Sequence, residues 1–337
     1  MALTVESCVI ESRVWLSRNI KAYPFPIAMN KEMNHQMIDE LEQVFQSEKI
    51  RNMYHLSWRS SHEIGYAEQQ VLQLKYGINH KRFEDRIYQM VEDRVAKLMI
   101  FVGADDHLRI QMHGEGLRLI DLWESIDDFD DQIDNAVEYA FDTELGYLTS
   151  HVTDVGTGIH ASVLLHLPAL TATGYIERVN QAASQLGLTV SGLSELSAIG
   201  SGDLYRIENH VTLGRSEREI VDTISEVVRQ IAIKENDALE TLMVSRRLEM
   251  EDKINRSIGI LSKARLLDRK EYLEHYSNVR MGIRVGILKD TQVLKLDELL
   301  FQTDSGVLQM TCGKLMNALE LKAQRASICR VFFEQEA

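Results

Sequence analysis

The chain contains little proline, little cysteine and too little positive charge to balance its acids. Its 337 residues include three prolines and three cysteines, and 37 Lys and Arg residues stand against 51 Asp and Glu residues. The resulting net charge of -14 repels phosphate backbones, which argues against sequence-independent binding of nucleic acid. A basic protein surface, or a small anion in a local cationic pocket, remains compatible with this composition.

The few cysteines and the absence of long apolar runs predict the cellular compartment of the protein. Cys8, Cys312 and Cys329 cannot all pair with one another, and their spacing matches no zinc motif, so reduced thiols are expected. No stretch approaches the ~18 uninterrupted apolar residues of a membrane span. The first residues also lack the basic and then apolar pattern of a secretion signal. We therefore expect a cytoplasmic protein with no membrane association.

The scarcity of proline bears on the second half of the chain. All three prolines lie at or before Pro168, so none interrupts a helix beyond it. Apolar residues recur at helical spacing from about Lys234 to the end, which predicts successive amphipathic helices. Their apolar stripes indicate either packing within the protein or dimerisation, and both interpretations remain open at this stage.

Elements of the first half follow from periodicity. Apolar side chains at i, i+4 spacing predict a helix with one buried stripe over residues 30–55. An apolar run at 97–102 and an alternating segment at 107–112 predict a β-hairpin whose turn is 103–106. The acidic run Asp127–Asp131 is expected in the first turns of a helix, where it would favour the positive end of the dipole. A calcium loop is the alternative, but the run lacks the Gly and terminal Glu of such loops.

The following residues alternate between predicted strands and helices. The series consists of a strand over 160–167 closing into a turn at Pro168, a helix over 174–186, strands over 188–190 and 203–213, and a helix over 216–234. Ser216 with Glu219 three residues later forms the capping-box pattern at the start of the last helix. The polar segment 191–202 between the two strands is expected to be a functional or mobile loop.

Three segments carry the functional signal. They are Glu11–Asn19 followed by Tyr23–Pro26, then Gly103–Gln111, then Leu145–Val163. In their order and residue pattern they resemble the motifs of the phosphagen (guanidino) kinases, and most closely those of the bacterial protein arginine kinases. The resemblance covers roughly residues 9–235 and is weak in the helical tail. It implies an α+β fold with a large antiparallel sheet flanked by helices, in a domain over 1–235, followed by a helical dimerisation domain over 236–337.

The resemblance also implies a chemistry, the transfer of a phosphoryl group from ATP with magnesium to arginine side chains of proteins. Such a transfer relies on cations around the phosphates, because a rigid guanidinium fork matches phosphate oxygens. The positions it assigns to nucleotide binding are Ser12, Arg13, Arg109, His160 and Ser162. Of the family's arginines this chain keeps Arg13 and Arg109.

Other family positions carry different residues in this chain. Trp15, His160 and Ser191 stand where the family has arginine. Because the expected cations are incomplete, the resemblance implies weakened nucleotide binding.

The carboxylates implied by the resemblance are altered as well. Asp105 stands where the family has a Glu that contacts the guanidinium, and its side chain is one methylene shorter. Leu196 stands at the position of a second acid, with Glu195 as the nearest substitute. We expect Asp105 to be the remaining candidate catalytic acid.

Histidines occupy two further positions of the resembled motifs. His151 replaces the family's reactive cysteine, and neutral imidazole cannot mimic a thiolate. We predict no metal site from the sequence. The alternative is that His151 and His160, with Asp105 or Asp154, form a metal or pH-sensitive site.

A last segment of the resemblance lies near the C-terminus. An Arg-Asp-x-x-Arg-Ala motif of the protein arginine kinases binds phosphoarginine, and the corresponding stretch here keeps only Arg325 and Ala326. Arg325 and Arg330 are either anion-binding residues or solvated charges.

Three functions are consistent with these observations. The first is a catalytically degenerate protein-arginine-kinase-like protein, a pseudokinase that acts through protein binding or regulation. The alternative is an active, divergent ATP-dependent kinase that phosphorylates arginine residues in proteins. A kinase for a small guanidino metabolite needs the same altered residues and is the third. We expect protein partners and a homodimer in each of the first two cases.

Overall fold

The computed structural model describes residues 3–83, 86–193, 200–288 and 293–334. The strands in these ranges are β1 (Val9–Arg18), β2 (Ser57–Ser60), β3 (Gln89–Asp93), β4 (Leu98–Val102), β5 (Leu108–Glu115), β6 (Phe141–Asp142), β7 (Gly146–Tyr147), β8 (Ile159–His166), β9 (Leu188–Ser191) and β10 (Leu204–Asn209). The α-helices are α1 (Lys31–Phe45), α2 (Glu48–Met53), α3 (Tyr66–Tyr76), α4 (Leu119–Asp134), α5 (Pro168–Ala172), α6 (Ile176–Gln185), α7 (Glu217–Ser245), α8 (Arg247–Lys263), α9 (Arg269–Arg284), α10 (Val293–Gln302), α11 (Ser305–Cys312) and α12 (Ala318–Glu334).

Eight of the strands form one antiparallel sheet, in the order β2-β3-β4-β5-β1-β8-β10-β9. β1 lies between β5 and β8, so the first strand of the chain is central. Side chains alternate between the two faces of each strand. Val14, Ile110 and Val163 therefore share one face with other apolar residues, and α4 and α7 pack against it to form the largest core.

The opposite face of the sheet is polar in its middle and apolar at one side. Leu164 on β8 and Leu204 on β10 lie on this face and pack against Tyr272 and Tyr276 of α9. Helices α8, α9, α10 and α12 thus cover part of the face, and the uncovered part forms a cleft. The α+β fold with a large antiparallel sheet and a helical C-terminal region is confirmed.

A buried polar network joins the helical region to the sheet. Arg284 of α9 donates hydrogen bonds to Cys8 Sγ and Asn236 Oδ1, at 2.9 and 3.0 Å, and lies 3.5 Å from a carboxylate oxygen of Glu235. The carboxylate of Glu235 also accepts the backbone N–H groups of Ala169 and Leu170 at the start of α5. The network therefore connects α5, α7 and α9 with the N-terminal segment.

Most predicted elements are present near their expected positions. The predicted hairpin is present as β4 and β5, which pair Leu98 with Met112 and Val102 with Leu108. The predicted helix over 30–55 is two helices, because the chain turns at Gln46 and Ser47 between α1 and α2.

The acidic run Asp127–Asp131 does not lie where it was expected. α4 begins at Leu119, so the run lies in the second half of the helix and cannot favour the positive end of its dipole. Its helical conformation also excludes the loop of a calcium site. The run contributes Asp130, whose buried carboxylate pairs with Arg18 at 2.8 Å.

Three boundaries also differ from the prediction. Pro168 begins the short helix α5 instead of a turn, because proline is tolerated in the first turn of a helix. β10 ends at Asn209, four residues before the predicted Leu213. α7 begins with the predicted capping box at Ser216 but continues to Ser245, so the predicted domain boundary at 235/236 lies inside a continuous helix.

Among the described residues, no helix combines the length and apolar character needed to cross a membrane.

Candidate active site

The uncovered part of the polar sheet face is a cleft of about 440 Å³. Four of the five residues predicted to bind nucleotide line it, namely Arg13, Arg109, His160 and Ser162. They come from β1, β5 and β8, which are neighbours in the sheet. Arg13 lies opposite Ser162, and Trp15 lies opposite His160, in the pairing of β1 with β8. The sheet therefore brings together residues that are up to 149 positions apart in the sequence.

The fifth predicted residue, Ser12, is not in the cleft. Adjacent residues of a strand point to opposite faces, so Ser12 faces away from the cleft when Arg13 faces into it. Its hydroxyl donates to the carbonyl of Gly116 at 2.7 Å and accepts the backbone N–H of Arg118 at 3.1 Å. Ser12 therefore fixes the chain just before α4 and does not line the cleft, and its role in nucleotide binding stays a prediction.

A third arginine, Arg206 on β10, also lines the cleft. It shares the carboxylate of Glu11 with Arg13, at 2.8 and 2.6 Å respectively, and donates to Ser162 Oγ at 3.2 Å. Burial opposes the charge of Glu11, but Arg13 and Arg206 hold the pKa of this carboxyl below its usual range. Burial and the charge of Arg206 lower the pKa of Arg13 to about 10, so it remains charged at neutral pH.

The C-terminus of α3 holds two of the arginines from the side. Arg13 Nη1 donates to the carbonyl of Leu74 at 3.2 Å, and Arg109 Nη2 donates to the carbonyl of Tyr76 at 2.6 Å. Cations are favoured at this end of a helix, where carbonyl groups lack helical partners. Gly77 ends α3 in the left-handed conformation, with φ of 67°. The arginines are thus positioned before any ligand binds.

Aromatic rings occupy the centre of the cleft. The guanidinium of Arg109 lies 4.0 Å from the ring centroid of Trp15, and the imidazole of His160 stacks on Trp15 at 3.7 Å. His160 Nε2 lies 3.2 Å from the carboxylate of Glu208. Trp15 and His160 replace arginines of the resembled family, and in this cleft they form a stack beside Arg109. A protonated His160 would add a cation, while Glu208 adds an anion.

Asp105 does not line the cleft but lies beside it, in the turn between β4 and β5. Its carboxylate is 3.6 Å from His151 Nε2, and its backbone carbonyl accepts the hydroxyl of Ser150. Burial lowers the pKa of Arg109 to about 10, and the charges of Asp105 and Asp154 oppose that shift. Asp105 therefore acts on the electrostatics of Arg109 from the adjacent turn.

The histidines do not form the alternative metal site. His151 lies near Asp105, whereas His160 pairs with Glu208 on another strand. Nowhere in the described ranges do three His, Cys, Asp or Glu side chains come close enough together to hold a metal ion.

The loop expected to carry a second acid lies partly outside the described residues. Glu195 and Leu196 lie outside the described residues, and Ser191 and Gly192 at the start of the loop line the cleft. The assignment of Leu196 to the position of the second acid, with Glu195 as its nearest substitute, stays a prediction.

Arg325 and Arg330 both contact backbone carbonyl groups of neighbouring segments. Arg325 is buried and donates to the backbone carbonyls of Thr303 and Leu267 at 2.8 and 3.0 Å. Arg330 donates to the carbonyl of Ala264. Both guanidiniums tie α12 to neighbouring segments, and anion binding by either residue stays a prediction.

Two family models match most of the chain. A family model described as ATP:guanido phosphotransferase, C-terminal catalytic domain, matches residues 32–238. A second model, described as Protein-arginine kinase McsB C-terminal domain, matches residues 247–337. The chain belongs to the ATP:guanido phosphotransferase family.

Relatives within this family are similar over nearly the whole chain. The protein-arginine kinase of Caldanaerobacter subterraneus subsp. tengcongensis is 37% identical over 320 residues, which cover 94% of each chain. The protein-arginine kinase of Geobacillus sp. (strain WCH70) is 36% identical over 329 residues, which cover 97% of this chain and 91% of the relative. The resemblance to protein arginine kinases is confirmed and extends through the helical tail.

Solved structures of the family share the fold. A lombricine kinase superposes with a TM-score of 0.59 at 20% identity, covering 70% of this chain and 68% of its own. The substrate-free duplicated taurocyamine kinase of Schistosoma mansoni gives a TM-score of 0.56 at 17% identity, covering 68% of this chain and 32% of its own. At these identities the likeness concerns the fold alone.

Proposed function

We propose that this chain transfers the terminal phosphoryl group of ATP to arginine side chains of proteins. The observation that carries the proposal is the convergence of three guanidiniums, from Arg13, Arg109 and Arg206, on one cleft of the polar sheet face. Arg206 supplies a cation that the family motifs do not contain. It lies in the same cleft as Trp15, His160 and Ser191, which stand where the family has arginines. The relatives named protein-arginine kinase, at 36–37% identity, support the same activity.

Each residue has a role that follows from its charge and position. The guanidiniums neutralise the charge that spreads over the phosphoryl oxygens in the transition state. Magnesium bound to the phosphates of ATP would neutralise part of their negative charge. Asp105, in the turn beside Arg109, would orient the guanidinium of the substrate and accept its proton. This activity needs no covalent intermediate, since positioning and charge stabilisation supply the catalysis.

The proposal is tested by mass spectrometry of an unfolded protein substrate incubated with the chain, ATP and magnesium. We expect ATP-dependent phosphoarginine. Replacement of Arg109 by Ala should lower kcat/KM about 10- to 100-fold, which corresponds to the loss of one charge-assisted contact. Arg59→Gln is the matched control, because Arg59 is partly exposed and pairs with Glu68 away from the cleft. Absence of phosphoarginine with the wild-type chain contradicts the proposal.

A second function, protein binding without catalysis, is favoured by one observation. Trp15 and His160 stack in the cleft at positions where the family has arginines, and Glu208 adds a negative charge there. In this pseudokinase interpretation ATP binds weakly or not at all. Isothermal titration with ATP and magnesium separates the two functions. Nucleotide binding together with phosphoarginine supports the kinase, and their joint absence supports the binding protein.

A further inference from the structure

A stack of three side chains lies in the centre of the cleft, with the indole of Trp15 in the middle. The guanidinium of Arg109 is 4.0 Å from the indole centroid, and the imidazole of His160 is 3.7 Å from it, with 14° between the two ring planes. Arg109 is on β5 and His160 is on β8, and these strands lie on opposite sides of β1. The two groups therefore cover opposite faces of the indole, so a nucleobase cannot stack on it.

The carboxylate of Glu208 fixes the hydrogen atom of the neutral imidazole. His160 Nε2 lies 3.2 Å from a carboxylate oxygen of Glu208. Burial opposes the charge of Glu208, but His160 and Arg206 hold the pKa of this carboxyl below its usual range. An ionised carboxylate only accepts hydrogen bonds, so Nε2 carries the hydrogen atom. In the neutral ring the lone pair is consequently on Nδ1.

Nδ1 of His160 is the atom that a ligand can reach. It has no hydrogen-bond partner in the described part of the chain, and it is not among the unpartnered atoms that the protein encloses. The side chain of His160 is 18% exposed and lines the cleft. A lone pair on Nδ1 repels a phosphate oxygen, whereas a protonated Nδ1 donates a charge-assisted hydrogen bond to it. A phosphate therefore binds this atom only together with a proton.

The charges around His160 favour an anionic ligand. The charged side chains on the strands around it are two carboxylates and three guanidiniums, namely Glu11, Glu208, Arg13, Arg109 and Arg206. Positive charge is thus in excess by one before His160 is counted. A bound phosphate favours the protonated imidazole, because an opposite charge nearby stabilises the charged form. The face of the Trp15 ring also attracts a cation.

We propose that nucleotide binding in this cleft takes up a proton, because His160 donates from a protonated Nδ1 to a phosphate oxygen of ATP while its Nε2–H stays on Glu208. Arg109 contacts the phosphates from the other side of Trp15, and the indole sets the spacing of the two cations. Since the resembled family has arginine at the position of His160, a permanent charge is replaced by one that depends on pH. The inference rests on the proposed function in one respect, that the cleft takes the phosphates of ATP.

The test is isothermal titration of the full chain with ATP and magnesium between pH 5.5 and 8.5, the range in which histidine side chains change charge. Titrations at pH 7.5 in buffers of different ionisation enthalpy count the protons taken up. We expect binding about 10-fold tighter at pH 5.5 than at pH 8.5, as one charge-assisted contact provides, together with net proton uptake. Equal affinity across the range, proton release, or no binding at any pH overturns the proposal.

Two substitutions of His160 separate its proton from those of the ligand. His160→Arg keeps a cation that does not titrate, so we expect binding at every pH without the proton uptake of the wild-type chain. Such binding also shows that a variant at this position folds. His160→Gln keeps a donor for Glu208 but gains no charge, and we expect it to bind at pH 5.5 about as weakly as the wild-type chain at pH 8.5.

The matched control is His35→Gln, at an exposed position of α1, which should keep the pH dependence of the wild-type chain. A pH dependence that persists unchanged in both His160→Arg and His160→Gln belongs to ATP or to another residue and overturns the proposal.

Phosphoarginine is measured separately, so the two proposals can fail independently. ATP binding with proton uptake that depends on His160, but without phosphoarginine, supports this inference and contradicts the kinase. Phosphoarginine formation together with ATP binding that is equal in the wild-type chain and His160→Gln at every pH supports the kinase and contradicts this inference.

Discussion

At the scale of single residues, Glu11 determines how the cleft keeps its charge. Two buried guanidiniums beside each other would repel, but both contact the same carboxylate. A shared carboxylate leaves one net positive charge in a water-poor place, which suits an anionic ligand. The same arrangement holds β1 and β10 in register across β8, because Glu11 and Arg206 lie on the outer strands of that trio.

Glu235 gives a prediction about pH and stability. Burial raises the pKa of Glu235 to about 7, although Arg284 and two backbone N–H groups oppose the shift. Between its usual pKa of about 4.3 and 7 the folded state holds a proton that the unfolded state releases. The free energy of unfolding contributed by Glu235 should therefore fall as pH rises through this window, by up to about 3 kcal/mol.

The measurement is urea unfolding between pH 4.5 and 8 of the wild-type chain and Glu235→Gln. The difference between them isolates Glu235 from His166, whose pKa is lowered by burial and by Arg280 and Arg284 and whose titration acts in the opposite direction. Glu249→Gln, on the exposed part of α8, is the control. An identical pH slope for the wild-type chain and Glu235→Gln contradicts the prediction.

The site residues show what the sequence reveals at this scale. Arg13 and Arg109 could be found because they lie in family motifs, and strand alternation alone would have placed Ser12 on the opposite face from Arg13. Arg206 and Glu208 lie in no such motif. Their signal was the alternation of charged and apolar residues along β10, but only the sheet order shows that β10 lies beside β8.

At the scale of elements, the capping box of α7 gives the next prediction. Ser216 Oγ accepts the N–H of Glu219 at 3.2 Å, and the carboxylate of Glu219 accepts the N–H of Ser216 at 2.7 Å. Ser216→Ala should lower the free energy of unfolding by about 1 kcal/mol, since the N–H of Glu219 loses its acceptor, the Ser216 hydroxyl.

Urea unfolding checks this prediction, with an unchanged dependence on denaturant as the sign that the unfolded state is unaffected. Ser245→Ala at the other end of α7 is the matched control, because the Ser245 hydroxyl bonds only to carbonyls of its own helix. Equal losses in the two variants would mean that the cap contributes nothing specific.

Elements were predictable where local pattern and tertiary packing agree. The β4–β5 hairpin has an apolar run before its turn and an alternating segment after it. The turn closes as Gly103 N–H donates to the carbonyl of His107 at 2.9 Å. α4 was misplaced because its first residue, Leu119, follows Arg118, which provides no side-chain cap. Without a capping signal the acidic run suggested a helix start that packing against β1 and β5 does not permit.

At the scale of the whole molecule, the oligomeric state remains to be tested. Val244 and Leu248, at the junction of α7 and α8, are 88% and 79% exposed. Burying such side chains against a second copy would remove apolar area from water. We expect the full chain to be a dimer by light scattering and Val244→Asp with Leu248→Asp to be monomeric.

Ile27→Asp is the control for the dimer, because Ile27 is 87% exposed but lies outside the helical region. A monomeric wild-type chain contradicts the dimer itself, and a double variant that still dimerises places the interface elsewhere. The domain boundary stays a prediction as well, since α7 passes through residues 235 and 236 without interruption.

The central position of β1 has a consequence for co-translational folding. β1 is made first, yet its partners β5 and β8 begin only at Leu108 and Ile159. At about 5–20 residues per second the nascent strand waits on the order of 10 s before β5 emerges, and longer for β8. Throughout that interval β1 has no neighbouring strand, and its apolar side chains Val14 and Leu16 have no core to pack into. The nascent chain is therefore an expected client for chaperones, and translation speed between the two segments should influence how much soluble protein a cell obtains.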